Sequence, residues 1–350
     1  MQILVILTGG TITMVRNPEN GALRPADTET FRAFVPELFA SDIHVDMLTF
    51  SPLIDSSDVS PDDWSRMART VYKNYNRYDG FVILHGTDTM SYSASAVSFM
   101  LQNLAKPVVF TGSQLPVGVL RSDAKENLLT AVEIAAAKDA DGQCLVPEGC
   151  LCFEGKVFRA NRTTKKNAEH FEAFESYNYP ALAKAGVHIN YRRHLIHYPA
   201  PDARLQLLDK TDRHVALLKI FPGITEEVVH AILTTPGLKG VVLETYGSGN
   251  APSSEWLYLQ LKEAVARGVI VVNKTQCSTG SVEMGRYEVS INLLKAGVLS
   301  GYDITTEALL TKMMWLLGQH PGDMQTVKDM LQHSVAGEMT DAAPETSNLI

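Results

Sequence analysis

The feature that most constrains this chain is a recurring short apolar run that stops at glycine or small polar residues. QILVIL at 2–7 stops at Gly9-Gly10, and FVILH at 81–85 and PVVFTG at 107–112 have the same form. Continuous apolar runs of this length mark strands buried on both faces, where no polar alternation is needed. Helical segments lie between them. One begins at Ser60-Pro61-Asp62-Asp63, with a serine N-cap, proline at the first helical position and acids in the first turn. Others are expected from about Ser91 to Leu104 and from Asp123 to Lys138. The βαβα order predicts an α/β fold with a doubly wound, mostly parallel sheet.

Residues 187–213 break the rhythm with Tyr191, Arg192, Arg193, His194, His197, Pro199 and Pro201. The alternation resumes at VALLKIF and continues through a helix from about Thr225, GVVLETYG, a helix over 254–267, VIVVN and a helix over 305–318. With 350 residues, and roughly 100–200 per domain, two domains are expected. The boundaries predicted are 1–190 for an N-terminal catalytic α/β domain, 191–213 for a linker and 214–350 for a smaller C-terminal α/β domain.

Lys plus Arg number 31 and Asp plus Glu 39, a formal charge of −8. That balance speaks against sequence-independent nucleic-acid binding, which rests on basic patches against phosphate. It leaves room for a small anionic or zwitterionic substrate, because a local field need not follow net charge. No apolar run reaches the ~18 residues of a bilayer span, so no membrane association is expected. MQILVIL lacks a basic n-region and is expected to be a first strand, not a signal peptide. Cys144, Cys150, Cys152 and Cys277 form no CxxC pair and no zinc-spaced cluster; they read as reduced thiols of a cytoplasmic protein without metal or cofactor.

Three strand ends carry hydroxyls and glycines: Thr8-Gly9-Gly10-Thr11-Ile12, His85-Gly86-Thr87-Asp88-Thr89 and Thr111-Gly112-Ser113-Gln114. Open α/β sheets bind ligands at this edge, so one shared pocket is expected. TGGTI matches neither GxGxxG nor GxxxxGK[ST], and residues 13–26 read as a loop. A hydroxyl on a glycine turn with a mobile loop behind it suits a nucleophile under a lid. HGTDT places a hydroxyl, a carboxylate and free N–H groups at one point, or simply caps the next helix. His85 reads as a packed histidine.

Together, ILTGGTI, LHGTDTM, VVFTGSQLP and RSDAKENLL resemble the L-asparaginase family, best its type I, cytoplasmic branch. The resemblance continues through FRANRTTKKNAEHFEAFESYNYPALAKAGVHI, FPGI, LETYGSGNAP, VVNKTQCSTG and AGVLSGYDITTEALLTK, roughly residues 2–320. It implies an amidohydrolase converting L-asparagine to L-aspartate and ammonia through an acyl-enzyme. L-Glutamine is the second candidate substrate, and a homodimer or homotetramer is the implied assembly. It further implies Thr11 as nucleophile, with Thr87, Asp88 and Lys165 as a second group; Lys166 is the register alternative. Asp55, Ser56 and Ser57 match the segment holding the substrate's α-amino and α-carboxyl groups, and Ser113 the residue contacting its amide. Spacing alone does not say which threonine attacks. The chemistry suits these types: a carboxamide is inert, and an acyl-enzyme divides its hydrolysis into two easier steps. A desolvated lysine can take the hydroxyl proton and a carboxylate can orient it.

The chain departs from the family at two places. Many members carry a flap tyrosine where this chain has Ala22 or Leu23. Thr275-Gln276-Cys277 resembles part of the regulatory asparagine site of some type I enzymes, but Glu244 stands where the regulated form has an arginine. A carboxylate does not hold an effector's carboxylate, so weak or no cooperativity is expected. Two other readings share the motifs: a glutamyl-tRNA amidotransferase subunit, and a non-catalytic amino-acid sensor.

Overall fold

The computed structural model describes residues 1–16, 23–25, 28–40, 42–285 and 288–340. They fall into two compact units, Met1–Asp209 and the chain from Lys210 onward. The first is built on an eight-stranded sheet in the order Asn190–Tyr191, Ala183–Lys184, Lys156–Arg159, Gly149–Phe153, Val108–Thr111, Gly80–Leu84, Gln2–Gly9, His44–Ile54. The last five in that order pair in parallel, and the first three add on antiparallel.

The central strands are buried on both sides, as continuous apolar runs require. Ile3, Val5, Leu7, Val82, Leu84 and Val109 share a core with Leu128, Ala131, Val132 and Ala135 of helix Ala124–Ala136. Those four recur at i, i+3, i+4 and i+7, one stripe of a helix. Helix Pro61–Asn74 starts where expected. Asp63 accepts from the Ser60 N–H (2.9 Å) and hydroxyl (2.8 Å), and Trp64, Met67, Ala68 and Val71 form its buried stripe. Helix Met90–Met100 is buried nearly all round. Its serines satisfy themselves locally: Ser95 and Ser98 donate to the carbonyls of Ser91 and Ala94 at 2.6 and 2.7 Å.

One strand is unforeseen and two expectations are corrected. Strand His44–Ile54 has no counterpart among the continuous runs, because it is the sheet edge: its burial is broken, and Pro52 is tolerated there. Within residues 13–26, Met14–Arg16 and Leu23–Pro25 form an antiparallel pair in place of a loop. Ala22 lies outside the described residues; Leu23 opens the second of these strands. Finally, residues 191–209, expected as a connection, are mostly bound into the first unit. Tyr191 pairs with Ala183, and Gln206–Leu207 with Leu101–Gln102. The buried Arg159–Glu148 pair (2.6 Å) grips this segment: Arg159 donates to the Leu195 carbonyl (2.9 Å), and Glu148 accepts from the His197 N–H (3.0 Å).

The second unit is a four-stranded parallel sheet, Val215–Lys219, Gly240–Thr245, Ile270–Thr275 and Leu299–Ser300. Helices Glu226–Leu233, Glu255–Ala266, Glu288–Lys295, Thr306–Gln319 and Met324–Leu331 belong to it. Its C-terminal segment is fastened by a fully buried ion pair, Lys312 Nζ to Glu338 Oε1 at 2.7 Å. Cys144, Cys150 and Cys152 are buried free thiols and Cys277 is an exposed one. Among the described residues no helix is long and apolar enough to cross a membrane, and no His/Cys/Asp/Glu cluster has metal-binding geometry.

Candidate functional site

The strand ends of the first unit meet through glycine. A Cβ on Gly9 would lie 2.0 Å from the Ile54 carbonyl oxygen, and one on Gly10 would lie 2.3 Å from the Gly86 nitrogen. A Cβ on Gly86 would in turn strike the Ser56 Oγ at 2.4 Å. Backbone therefore packs on backbone, which only glycine permits. The next residues along these segments are Thr11, Asp55 and Thr87. Their convergence follows from this contact and from the parallel register of Gln2–Gly9 with His44–Ile54 and Gly80–Leu84. A fourth approach adds the fourth segment: a Cβ on Gly112 would lie 2.4 Å from the His85 carbonyl oxygen.

Thr11 opens a single 3-10 turn, Thr11–Thr13, and is half-buried. Gly10 before it has φ 85° and ψ 171°. The Thr13 hydroxyl closes the turn on the Gly10 carbonyl at 2.9 Å. Thr87 is 9% exposed, and its hydroxyl receives the Lys165 ammonium at 2.8 Å. The same ammonium donates to Asp88 Oδ1 at 2.7 Å; Asp88 is largely open to solvent, whereas Lys165 is not. Lys165 reaches the site from a two-residue strand, Thr164–Lys165, paired with Phe174–Glu175. Phe174 anchors that pair against Phe153, with ring centroids 5.0 Å apart. Side chains alternate along a strand, and Lys166 instead donates to Glu175 at 2.9 Å. The Glu175 carboxylate beside it holds the Lys166 ammonium above the usual lysine range.

The other expected residues behave differently from one another. Asp55 accepts from the Ser57 hydroxyl at 2.6 Å and the Ser57 N–H at 3.0 Å, which together hold its carboxyl below the usual carboxylate range. Ser56 is buried, and its carbonyl takes the Thr89 hydroxyl at 2.6 Å. Ser113 is buried too, its hydroxyl donating to the Leu115 carbonyl at 2.6 Å. His85 is a packed histidine: burial pulls it down to about 4, so it is neutral, and its Nδ1 lies 2.7 Å from the Gly86 carbonyl oxygen. RSDAKENLL has a structural task that its pattern did not reveal. Asp123 accepts from the Gln114 N–H (3.0 and 3.1 Å) and the Leu115 N–H (3.1 Å), while Asn127 donates to the Gly112 carbonyl at 3.0 Å.

Thr275, Gln276, Cys277 and Glu244 lie in the second unit and form their own cluster at strand ends. Glu244 is 7% exposed. Its Oε1 accepts the Thr306 hydroxyl at 2.5 Å and its Oε2 lies 3.5 Å from the Lys219 Nζ. Gln276 braces two strand ends by donating to the Ile220 and Glu244 carbonyls at 2.5 and 3.0 Å. The Cys277 N–H donates to the Thr275 hydroxyl at 3.0 Å.

The arrangement supplies a hydroxyl on a glycine turn and a second hydroxyl bound to an ammonium. Comparison with known proteins identifies the family. The model of the asparaginase N-terminal domain matches residues 2–197, and that of the glutaminase/asparaginase C-terminal domain matches residues 214–331. L-asparaginase 1 of Escherichia coli K12 is 42% identical, covering 97% of this chain and 98% of that one. A glutamyl-tRNA(Gln) amidotransferase polypeptide of Pyrococcus abyssi is 35% identical over 97% of this chain and 77% of its own. The crystal structure of L-asparaginase I from Vibrio cholerae superposes with a TM-score of 0.87 at 40% identity, covering 97% of this chain and 99% of that one. The chain belongs to the asparaginase family and is an enzyme of that family.

Proposed function

We propose that the protein hydrolyses L-asparagine to L-aspartate and ammonia. The observation that carries the reading is the Lys165–Thr87–Asp88 hydrogen-bond set beside the Gly10–Gly86 contact that delivers Thr11. Thr11 Oγ attacks the carboxamide carbon, and its proton is carried to the amide nitrogen. The tetrahedral oxyanion forms among backbone N–H groups at the glycine turns, where each donor is worth about 3–4 kcal/mol. Ammonia leaves with a proton, and an aspartyl ester remains on Thr11. Water then attacks that ester and gives a proton to Thr87 Oγ1 while the Thr87 hydroxyl passes its own to Lys165 in its neutral amine form; the same relay returns a proton to Thr11 Oγ as the ester bond breaks, and Asp88 holds Lys165 in place. Hydrolysis of the ester restores the Thr11 hydroxyl and releases aspartate. Asp55, with Ser56 and Ser57, receives the substrate's α-amino and α-carboxyl groups, and Ser113 borders its amide.

The reading is tested by ammonia release from L-asparagine, with L-glutamine in parallel. Folded Thr11→Val and Thr87→Val variants that keep wild-type turnover would overturn it. The likeness to the Pyrococcus abyssi amidotransferase supports a second reading, in which the amide hydrolysed feeds a tRNA-bound glutamate; a gel shift with tRNA distinguishes the two. Glu244, engaged by Thr306 and Lys219, supports little or no cooperativity, and a Hill coefficient above two for L-asparagine would contradict it. A cytoplasmic homodimer or homotetramer completes the reading, checked by fractionation and by mass in solution.

A further inference from the structure

The Thr87 hydroxyl has a second partner: its Oγ1 lies 3.2 Å from Gln114 Oε1, and Gln114 Nε2 lies 3.1 Å from the His170 carbonyl oxygen. A backbone carbonyl only accepts, so the amide nitrogen must face His170 and the amide oxygen must face Thr87. An ammonium only donates, so Lys165 gives a proton to the Thr87 oxygen and the single hydroxyl proton points to Gln114. The chain Lys165 to Thr87 to Gln114 to His170 therefore runs in one direction. Gln114 is held from behind as well, because both Asp123 oxygens accept its N–H.

We infer that Gln114 is a positioning residue for Thr87: its side-chain carbonyl sets where the hydroxyl proton points and so fixes the starting arrangement of the Lys165–Thr87 pair. This rests on the proposed role of that pair. When Lys165 is neutral, its nitrogen accepts the hydroxyl proton, and Gln114 Oε1 is the group released. Asp88 faces Lys165 directly; Asp123 is engaged by backbone N–H groups; Lys166 is paired with Glu175; Arg121 and Glu169 line a surface depression with His170. A charge placed at position 114 therefore acts on Lys165 across the Thr87 hydroxyl, beside the existing Asp88 pair.

The test is the pH dependence of kcat/KM for L-asparagine in wild type, Gln114→Glu, Gln114→Met and Lys165→Met. Gln114→Glu keeps an acceptor for Thr87 but adds an anion beside the ammonium, so its acidic limb moves up by about one pH unit. Gln114→Met removes the acceptor; kcat falls about tenfold, KM changes less than threefold, and the limb stays in place. A role in folding alone would lower thermal stability and leave kcat of folded Gln114→Met at the wild-type value. An unshifted limb in folded Gln114→Glu overturns the inference. If Gln114→Glu does not fold, kcat of Gln114→Met within twofold of wild type overturns it. Lys165→Met separates the two readings: wild-type activity there refutes the Lys165–Thr87 pair itself.

Discussion

Gly10→Ala tests whether close backbone contact builds the site. Gly10 sits at φ 85° and ψ 171°, a region that residues with a side chain scarcely visit, and occupying it costs about 1–3 kcal/mol. The added Cβ would also lie 2.3 Å from the Gly86 nitrogen and 2.4 Å from its Cα, both backbone atoms. Ordinary contact begins near 3.4 Å, so the two turns must separate by about 1 Å. Thr11 and Thr87 are the adjacent residues and move apart with them. A misplacement of ~1 Å at reacting groups costs roughly 100-fold in rate. The assay is kcat/KM for ammonia release beside a thermal melt. Gly268→Ala is the control: φ is 94° but a Cβ there meets nothing within 4 Å, so it loses about 1–2 kcal/mol of stability and keeps full kcat/KM. Gly10→Ala within threefold of wild-type kcat/KM would refute the reasoning.

Other outcomes follow from single contacts. Lys312→Met leaves Glu338 buried without its cation and lowers the unfolding free energy by about 3–5 kcal/mol in denaturant titration. Burial raises Asp212, but Lys239 and His214 outweigh it and draw it from its usual 3.8 to about 2. A depressed carboxyl contributes stability above the unfolded value, lost as pH falls from 3.8 through 2. The partners are half-exposed, so the contribution is about 1 kcal/mol; the stability gap between wild type and Asp212→Asn should close over that window. Lys165→Met abolishes turnover, whereas Lys166→Met, which severs the pairs with Glu175 and Glu172, keeps it within about twofold. A thiol reagent on the native protein labels Cys277, while Cys144, Cys150 and Cys152 react only on unfolding.

Where local chemistry and global packing agree, the sequence is legible. Buried strands such as Gln2–Gly9 and Gly80–Leu84 announce themselves as apolar runs, and Ser60-Pro61 announces a helix start. His44–Ile54 is not announced, since an edge strand keeps only broken burial. Lys165 shows why a site is harder to read than a sheet. Locally it belongs to a basic stretch, and only the pairing of Thr164–Lys165 with Phe174–Glu175 carries its ammonium to Thr87, 78 residues away in sequence. Asp123 and Asn127 are similar: their work is to satisfy backbone groups of another segment, which no periodicity reports.

The most direct measurement is ammonia release against L-asparagine concentration for wild type and a Thr11→Val variant shown to be folded. The account predicts a saturating curve for wild type, non-sigmoidal, and no release above background for the variant. Wild-type turnover in folded Thr11→Val would contradict it.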